Sequence, residues 1–161
     1  MIFDTHLHYG FTDSDLPFED HLLETCRSVD IGRACIIGLG RKKDPDWTRG
    51  PGQVTEIIKW GNMNDEVVKL AKKHPDFLIP VAYFRLDYDS PALIDDLAFQ
   101  GFRGLKFMWP REDYDHEKYF HTYQKAAGNG MVLTFHTGLV NGAPRERVFR
   151  ATSARMRVHL S

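Results

Sequence analysis

The feature that most limits what this chain can fold into is a rhythm. Five times along its length, a short apolar run is followed by a segment with helical spacing. The runs at 2–6, 34–39 (ACIIGL), 77–86 (FLIPVAYFRL), 103–109 (RGLKFMW) and 131–136 (MVLTFH) read as strands. The segments at 17–31, 64–74, 91–99, 117–127 and 145–156 read as helices, with Ser90 as the cap of the third and His74 at the end of the second, just before Pro75. Such alternation predicts parallel strands, because parallel neighbours need a long crossover whereas antiparallel ones can be joined by a tight turn.

Two architectures meet that requirement. A doubly wound sheet buries its strands on both faces as unbroken apolar runs. Here the first, fourth and fifth strands instead carry His6, His8, Lys106 and His136 near their C-terminal ends, which is where a (β/α) barrel keeps its catalytic groups. The expected fold is therefore α/β: a partial TIM (β/α)8 barrel of about five βα units, in a single domain spanning 1–161.

Within the first strand, Asp4-Thr5-His6-Leu7-His8 places two imidazoles two residues apart. Side chains alternate along an extended strand, so His6 and His8 are predicted to share a face, with Asp4 beside them as a chelating edge. His136 ends the fifth strand, just before Thr137-Gly138, and in a barrel it would converge on the same rim. Three nitrogen ligands are the usual protein share of an open catalytic metal site. His116 and His121 are five apart and miss the H-E-x-x-H spacing; His21 and His159 show no role.

Lys106 shares parity with Gly104 and Met108, so its ammonium should point into the barrel, where it is costly unless paired. Asp4 is one candidate partner. Lys106 could instead bind an anionic substrate group or, if carbamylated, bridge two metals. Arg85 and Asp87 stand at the end of the third strand and Trp109 at the end of the fourth. The long stretch 40–61 should overhang the active rim, bringing Trp47 and Arg49 toward a substrate, unless Trp47 merely packs down. Gly38-Leu39-Gly40 is no dinucleotide fingerprint, because Lys43 stands where the third glycine is needed.

Composition excludes several other classes. The 161 residues carry a formal charge of -1, and the one basic cluster, Arg41-Lys42-Lys43, is answered by Asp44 and Asp46, so a nucleic-acid partner is not expected. No apolar run approaches the roughly 18 residues that span a bilayer, and no leader pattern opens the chain, so a cytoplasmic location is expected. Cys26 and Cys35 lack C-x-x-C spacing and read as reduced core residues.

At DTHLH, GFRGLKF and VLTFHTG, in this order and on separate βα units, the chain resembles the amidohydrolase superfamily. It is most similar to the branch that includes metal-dependent hydrolases and aminocarboxymuconate-semialdehyde-type decarboxylases, over 1 to about 156. The resemblance implies a divalent metal, most often zinc, held by His6, His8 and His136. It also implies hydrolysis of a small-molecule amide, ester or lactone; Lys106, Arg85, Trp109 and Trp47, from their places at strand ends and in the long loop, are the candidate substrate-binding residues. Decarboxylation of a small carboxylic acid, or metal and partner binding without catalysis, are the alternatives. In the family a further His follows the sixth strand and a proton-shuttling Asp follows the eighth, and neither has a counterpart after the fifth unit here. The expectation is thus a C-terminally truncated barrel of doubtful turnover. Its two open sheet edges, and an uncovered interior face between them, would drive self-association.

Overall fold

The computed structural model describes residues 1–10, 17–41, 60–108 and 110–136. In chain order these form β1 (Ile2–His8), α1 (Phe18–Ser28), β2 (Ile31–Ile37), β3 (Leu39–Arg41), β4 (Trp60–Asn62), α2 (Asn64–Lys73), β5 (Leu78–Tyr83), α3 (Leu93–Gln100), β6 (Gly104–Phe107), a 3-10 turn (Glu117–Tyr119), α4 (Phe120–Gly128) and β7 (Val132–Phe135). The fifth predicted helix, 145–156, lies outside the described residues. The five expected strands make one curled sheet, parallel throughout and ordered β1-β2-β5-β6-β7. No strand doubles back, so the doubly wound alternative falls and the fold is a partial TIM barrel.

The residues of β2 alternate between two environments. Ala34 and Ile36 face a core shared with Leu22 and Cys26 of α1, Val67 and Leu70 of α2, Ile94 and Leu97 of α3 and Ala126 of α4, so all four helices cover one face of the sheet. Each fully buried aliphatic or aromatic side chain there, such as Ile36, Ile94 or Phe107, contributes about 1.5–3 kcal/mol. Cys35 and Ile37 point the other way, toward a second cluster with Leu39, Val81, Tyr83 and Met108 on the barrel's inner face. Both cysteines are free thiols, as expected, one on each face. The inner cluster is no more than 7% exposed, so these central strands do not present the uncovered interior expected of open edges. Within the sheet, large apolar side chains are exposed on the two edge strands, at Ile2 and Phe3 (53% each) and Val132 (68%); on the helices Phe99 of α3 is exposed as well.

Element ends follow local chemistry. Ser90 Oγ accepts from the Ala92 N–H at 3.3 Å, and the Leu93 N–H reaches the Ser90 carbonyl, so the predicted cap starts the turn that becomes α3. That helix ends at Gly101 (φ 112°), which donates to the Ala98 carbonyl while Phe102 donates to that of Leu97, a paired closure that needs a left-handed residue. At the far side, Glu19 of α1 accepts from Lys73 Nζ at 2.8 Å and meets His74 Nε2 at 2.7 Å, tying α1 to the end of α2. His74 is indeed the C-terminal cap.

Two features escape the sequence patterns. The first is the antiparallel pairing of Leu39–Arg41 with Trp60–Asn62, which closes the base of the long connection. The second is Asn64. Pairing of β2 with β5 stops at Val81, where the Gly38 N–H takes the Val81 carbonyl and the chain leaves for β3. Beyond that point the side-chain amide of Asn64 stands in for a strand: Oδ1 accepts from the Tyr83 N–H at 2.8 Å and Nδ2 donates to the Tyr83 carbonyl at 3.0 Å. A Cβ at Gly38 would collide with that Oδ1, which accounts for glycine there.

Asn64→Ala leaves two buried backbone groups unsatisfied and should lower unfolding free energy by about 2–5 kcal/mol in urea titrations. Gly38→Ala should be comparably harmful alone but markedly less so in the Asn64→Ala background, because the atom it collides with is gone. Additive effects of the two substitutions would refute the contact.

Candidate active site at the strand C-termini

Because all five strands of the curled sheet are parallel, His8, Tyr83, Lys106 and His136 reach the same rim. The register is explicit: Tyr83, Lys106 and Thr134 are neighbours across β5, β6 and β7, while His8 pairs with Ile37, Ile37 with Val81 and Val81 with Gly104. His136 follows β7 directly, and its N–H donates to the Phe107 carbonyl at 3.0 Å.

Strict alternation does not hold in β1. Asp4 pairs with Ala34 and Leu7 with Ile36, three steps against two, so one extra residue is accommodated between them. Ala34 and Ile36 share a face of β2, which puts Asp4 on the side of Leu7 and out of phase with His8. The expected chelating edge of Asp4 with both histidines is therefore not formed. Asp4 Oδ1 accepts from the His6 backbone N–H at 2.9 Å instead and helps shape the irregular turn of the strand.

The irregularity brings the imidazoles together. His6 Nε2 and His8 Nε2 are 3.0 Å apart, with ring planes inclined by 49°. His8 Nδ1 lies 3.2 Å from the Leu39 carbonyl, which can only accept; Nδ1 therefore carries the proton and the Nε2 lone pair faces His6. Burial lowers the pKa of His8 to about 4, reinforced by the neighbouring His6, Lys106 and His136 and only partly offset by the Leu39 hydrogen bond. His6 is also lowered, first by partial loss of water and then by the Lys106 charge, against the opposing pull of Asp4. Both rings are thus neutral at pH 7, the form that ligates metals. Two nitrogens around a tetrahedral zinc stand roughly 3.3 Å apart, so the observed spacing fits a shared ion.

His136 lies at the same end and close enough to lower the His8 pKa. Its backbone is held by the buried hydroxyl of Tyr114, which lies 3.1 Å from the His136 carbonyl and 3.3 Å from that of Phe107. No group of three or more His, Cys, Asp or Glu side chains closes around one point among the described residues. The pair His6 and His8 is assembled, and His136 is on the same rim without closing a three-residue group with them among the described residues.

Lys106 is fully buried on the inner face, and its Nζ has no hydrogen-bond partner among the described residues. The expected pairing with Asp4 is absent, because the slipped register turns that carboxylate away. Burial lowers the ammonium pKa from 10.5 to about 8. Arg85 is engaged differently from expectation: its guanidinium binds Asp89 at 2.7 and 3.1 Å and lies over the Tyr88 ring. Asp87 accepts from Tyr119 Oη, Lys118 Nζ and the Arg111 N–H, fastening the two rim loops after β5 and β6 together. Trp47 and Trp109 lie outside the described residues.

The parts of the site that the sequence patterns did not reveal are Tyr114 and the Leu39 carbonyl. Tyr114 lies in a charged rim loop with no periodic signal, and a main-chain acceptor has no residue-type signature. No protein-family model and no curated protein sequence matches the chain. Among solved structures it is similar to a probable 2-pyrone-4,6-dicarboxylic acid hydrolase from Acinetobacter baumannii, crystallised with citric acid bound, at a TM-score of 0.53 and 10% identity. The match covers 84% of this chain and 49% of that one, so the chain spans about half the neighbour's length and shares its fold. No helix among the described residues is long and apolar enough to cross a membrane.

Lys106 supplies a direct stability test. Its folded-state pKa, about 8, lies below the unfolded value, so between pH 8 and 10.5 the unfolded chain holds a proton that the folded chain has released. Stability should therefore rise as pH climbs through that window, by an amount of the order of 3 kcal/mol. Lys106→Met should abolish the rise and be the more stable protein at pH 7; equal unfolding midpoints for the two proteins at pH 7 and pH 10 would contradict a buried unpaired ammonium.

Proposed function

We propose that the chain carries the metal-binding part of an amidohydrolase-type hydrolase site, in which His6, His8 and His136 hold a divalent ion, with zinc favoured by the all-nitrogen set. The substrate is a small-molecule ester, lactone or amide that bears a carboxylate. The observation that carries this reading is the imidazole pair, neutral and 3.0 Å apart, with the His8 tautomer fixed by Leu39. The resemblance at DTHLH and the hydrolase name of the structural neighbour point the same way.

A divalent ion, when bound, supplies Lewis-acid polarisation of the scissile carbonyl and a source of hydroxide near neutral pH. The chain's own residues account for the rest. Lys106 helps keep both imidazoles deprotonated, as its charge lowers each of their pKa values. An ammonium beside a dication is repulsive unless an anion lies between them, and this favours a substrate carboxylate as the third party. Arg85 is already committed to Asp89, so Lys106 is the anion-binding group of this rim. The same arrangement would serve a metal-dependent decarboxylase of a small carboxylic acid, which substrate trials would distinguish. Tight zinc binding with no turnover on either class would mark a non-catalytic metal-binding domain.

Titration of the full chain with zinc against a chromophoric chelator should show one ion per chain, and His6→Ala or His8→Ala should weaken binding by roughly a hundredfold. Because burial lowers the pKa of both His6 and His8, proton competition at these two ligands should set in at lower pH than for an ordinary imidazole, which zinc titrations at stepped pH would read. Saturable binding that is indifferent to both substitutions would overturn the site.

The apolar edges favour a second property, self-association through β1 or β7. Light scattering should show a concentration-dependent dimer or larger species, reduced by Phe3→Lys or Val132→Lys. A monomer at all concentrations would refute it.

A further inference from the structure

At the opposite end of the sheet from the histidines, a cleft of about 320 Å³ opens where the N-terminal ends of β2, β5 and β6 meet the C-terminal ends of α2 and α3. Three cations line it, each from a different segment: Arg33 from β2, Lys72 from the last turn of α2, and Arg103 just before β6. No aspartate or glutamate is among its lining residues. All three cations are exposed, and none of their side chains makes an ion pair or hydrogen bond among the described residues. Elsewhere on the surface Lys73 is paired with Glu19, Lys118 with Asp87 and Lys125 with Asp95, while Arg27 and Lys69 stand singly on their helices; among the described residues, only at this cleft do three such cations share one lining.

A structural reason covers only part of this. A lysine in the last turn of a helix complements the partial negative charge there, which accounts for Lys72. Arg33 is on a strand and Arg103 follows the Gly101 cap, so neither serves a helix end in that way. The two helix termini contribute about half a negative charge each, against three full positive charges, so the cleft remains electropositive. Its wall between the cations is apolar, formed by Val68, Leu78 and Pro80 among others.

We infer that this cleft binds a small organic anion, a phosphate ester or multiply charged carboxylate with an apolar body, at a site separate from the histidine rim. Guanidinium groups match the oxygens of either anion in a forked geometry, and the volume lies within the range of small-molecule pockets. The inference does not depend on the proposed hydrolase reading.

Calorimetric titration of the full chain at low ionic strength, with phenyl phosphate as the probe and inorganic phosphate as its bodiless counterpart, tests it. Phenyl phosphate should bind one per chain and at least roughly tenfold tighter than inorganic phosphate, because only the ester uses the apolar wall. Arg33→Ala and Arg103→Ala should each weaken it by about tenfold or more, Arg103→Glu should abolish it, and 0.5 M salt should weaken it, as expected of exposed charges at about that screening length. All three positions are exposed, and thermal melts report whether each variant is folded. If Arg103→Glu does not fold, Lys72→Ala replaces it, with a several-fold loss expected. The His6→Ala, His8→Ala double variant should bind phenyl phosphate as the parent does. Absence of binding at millimolar probe, equal affinity for the two probes, binding unchanged in the arginine variants, or loss in the histidine double variant would each overturn the assignment.

Discussion

Parallel strands must be rejoined by a crossing that returns the chain to the end from which it started, and that single constraint organises everything else in this protein. Each crossing here is a helix laid on the same face, so one side of the sheet is committed to an apolar core built from Ala34, Ile36, Leu105 and Phe107. The other side is released from packing helices, and the C-terminal ends of all strands open on one rim. His8, Lys106 and His136 stand on that rim because the parallel topology brings every strand end of the sheet to one side.

Much of this was legible in the residues. The alternation of five strands with the four described helices carries the fold class, and the ends of α2 and β7 lie within a residue or two of expectation. The face of Lys106 followed from parity, because β6 is regular from Gly104 to Phe107. Asp4 was misplaced for the converse reason. Parity arguments assume an unbroken ladder, and one extra residue between Asp4 and Leu7 reverses the face on which Asp4 stands relative to His8. Nothing in the letters D-T-H-L-H marks that slip.

The hidden elements share another property: they are hydrogen bonds between a side chain and a main chain. Asn64 replaces a strand beside Tyr83, Tyr114 holds the ends of β6 and β7, and Leu39 orients His8 through its carbonyl. Such contacts join residues far apart in the chain through groups that every residue carries, so they have no periodicity to detect. They also lie at the rim, where regular ladders end and backbone donors and acceptors must find other partners. The site is consequently framed by the residues that compensate for the loss of sheet, and its geometry is inherited from that compensation.

The small pairing of Leu39–Arg41 with Trp60–Asn62 bears on how such a protein can diversify. It fastens both ends of the connection between β2 and α2 before the intervening residues 42–59 begin, with Gly38 and Met63 already bonded to the scaffold through Val81 and Gly38. Closing a connection twice as long costs only about 0.6 kcal/mol more. The connection between β2 and α2 can therefore change length at little thermodynamic cost while the strands keep their register. Insertion and recombination can act within that connection while the hairpin holds its two ends.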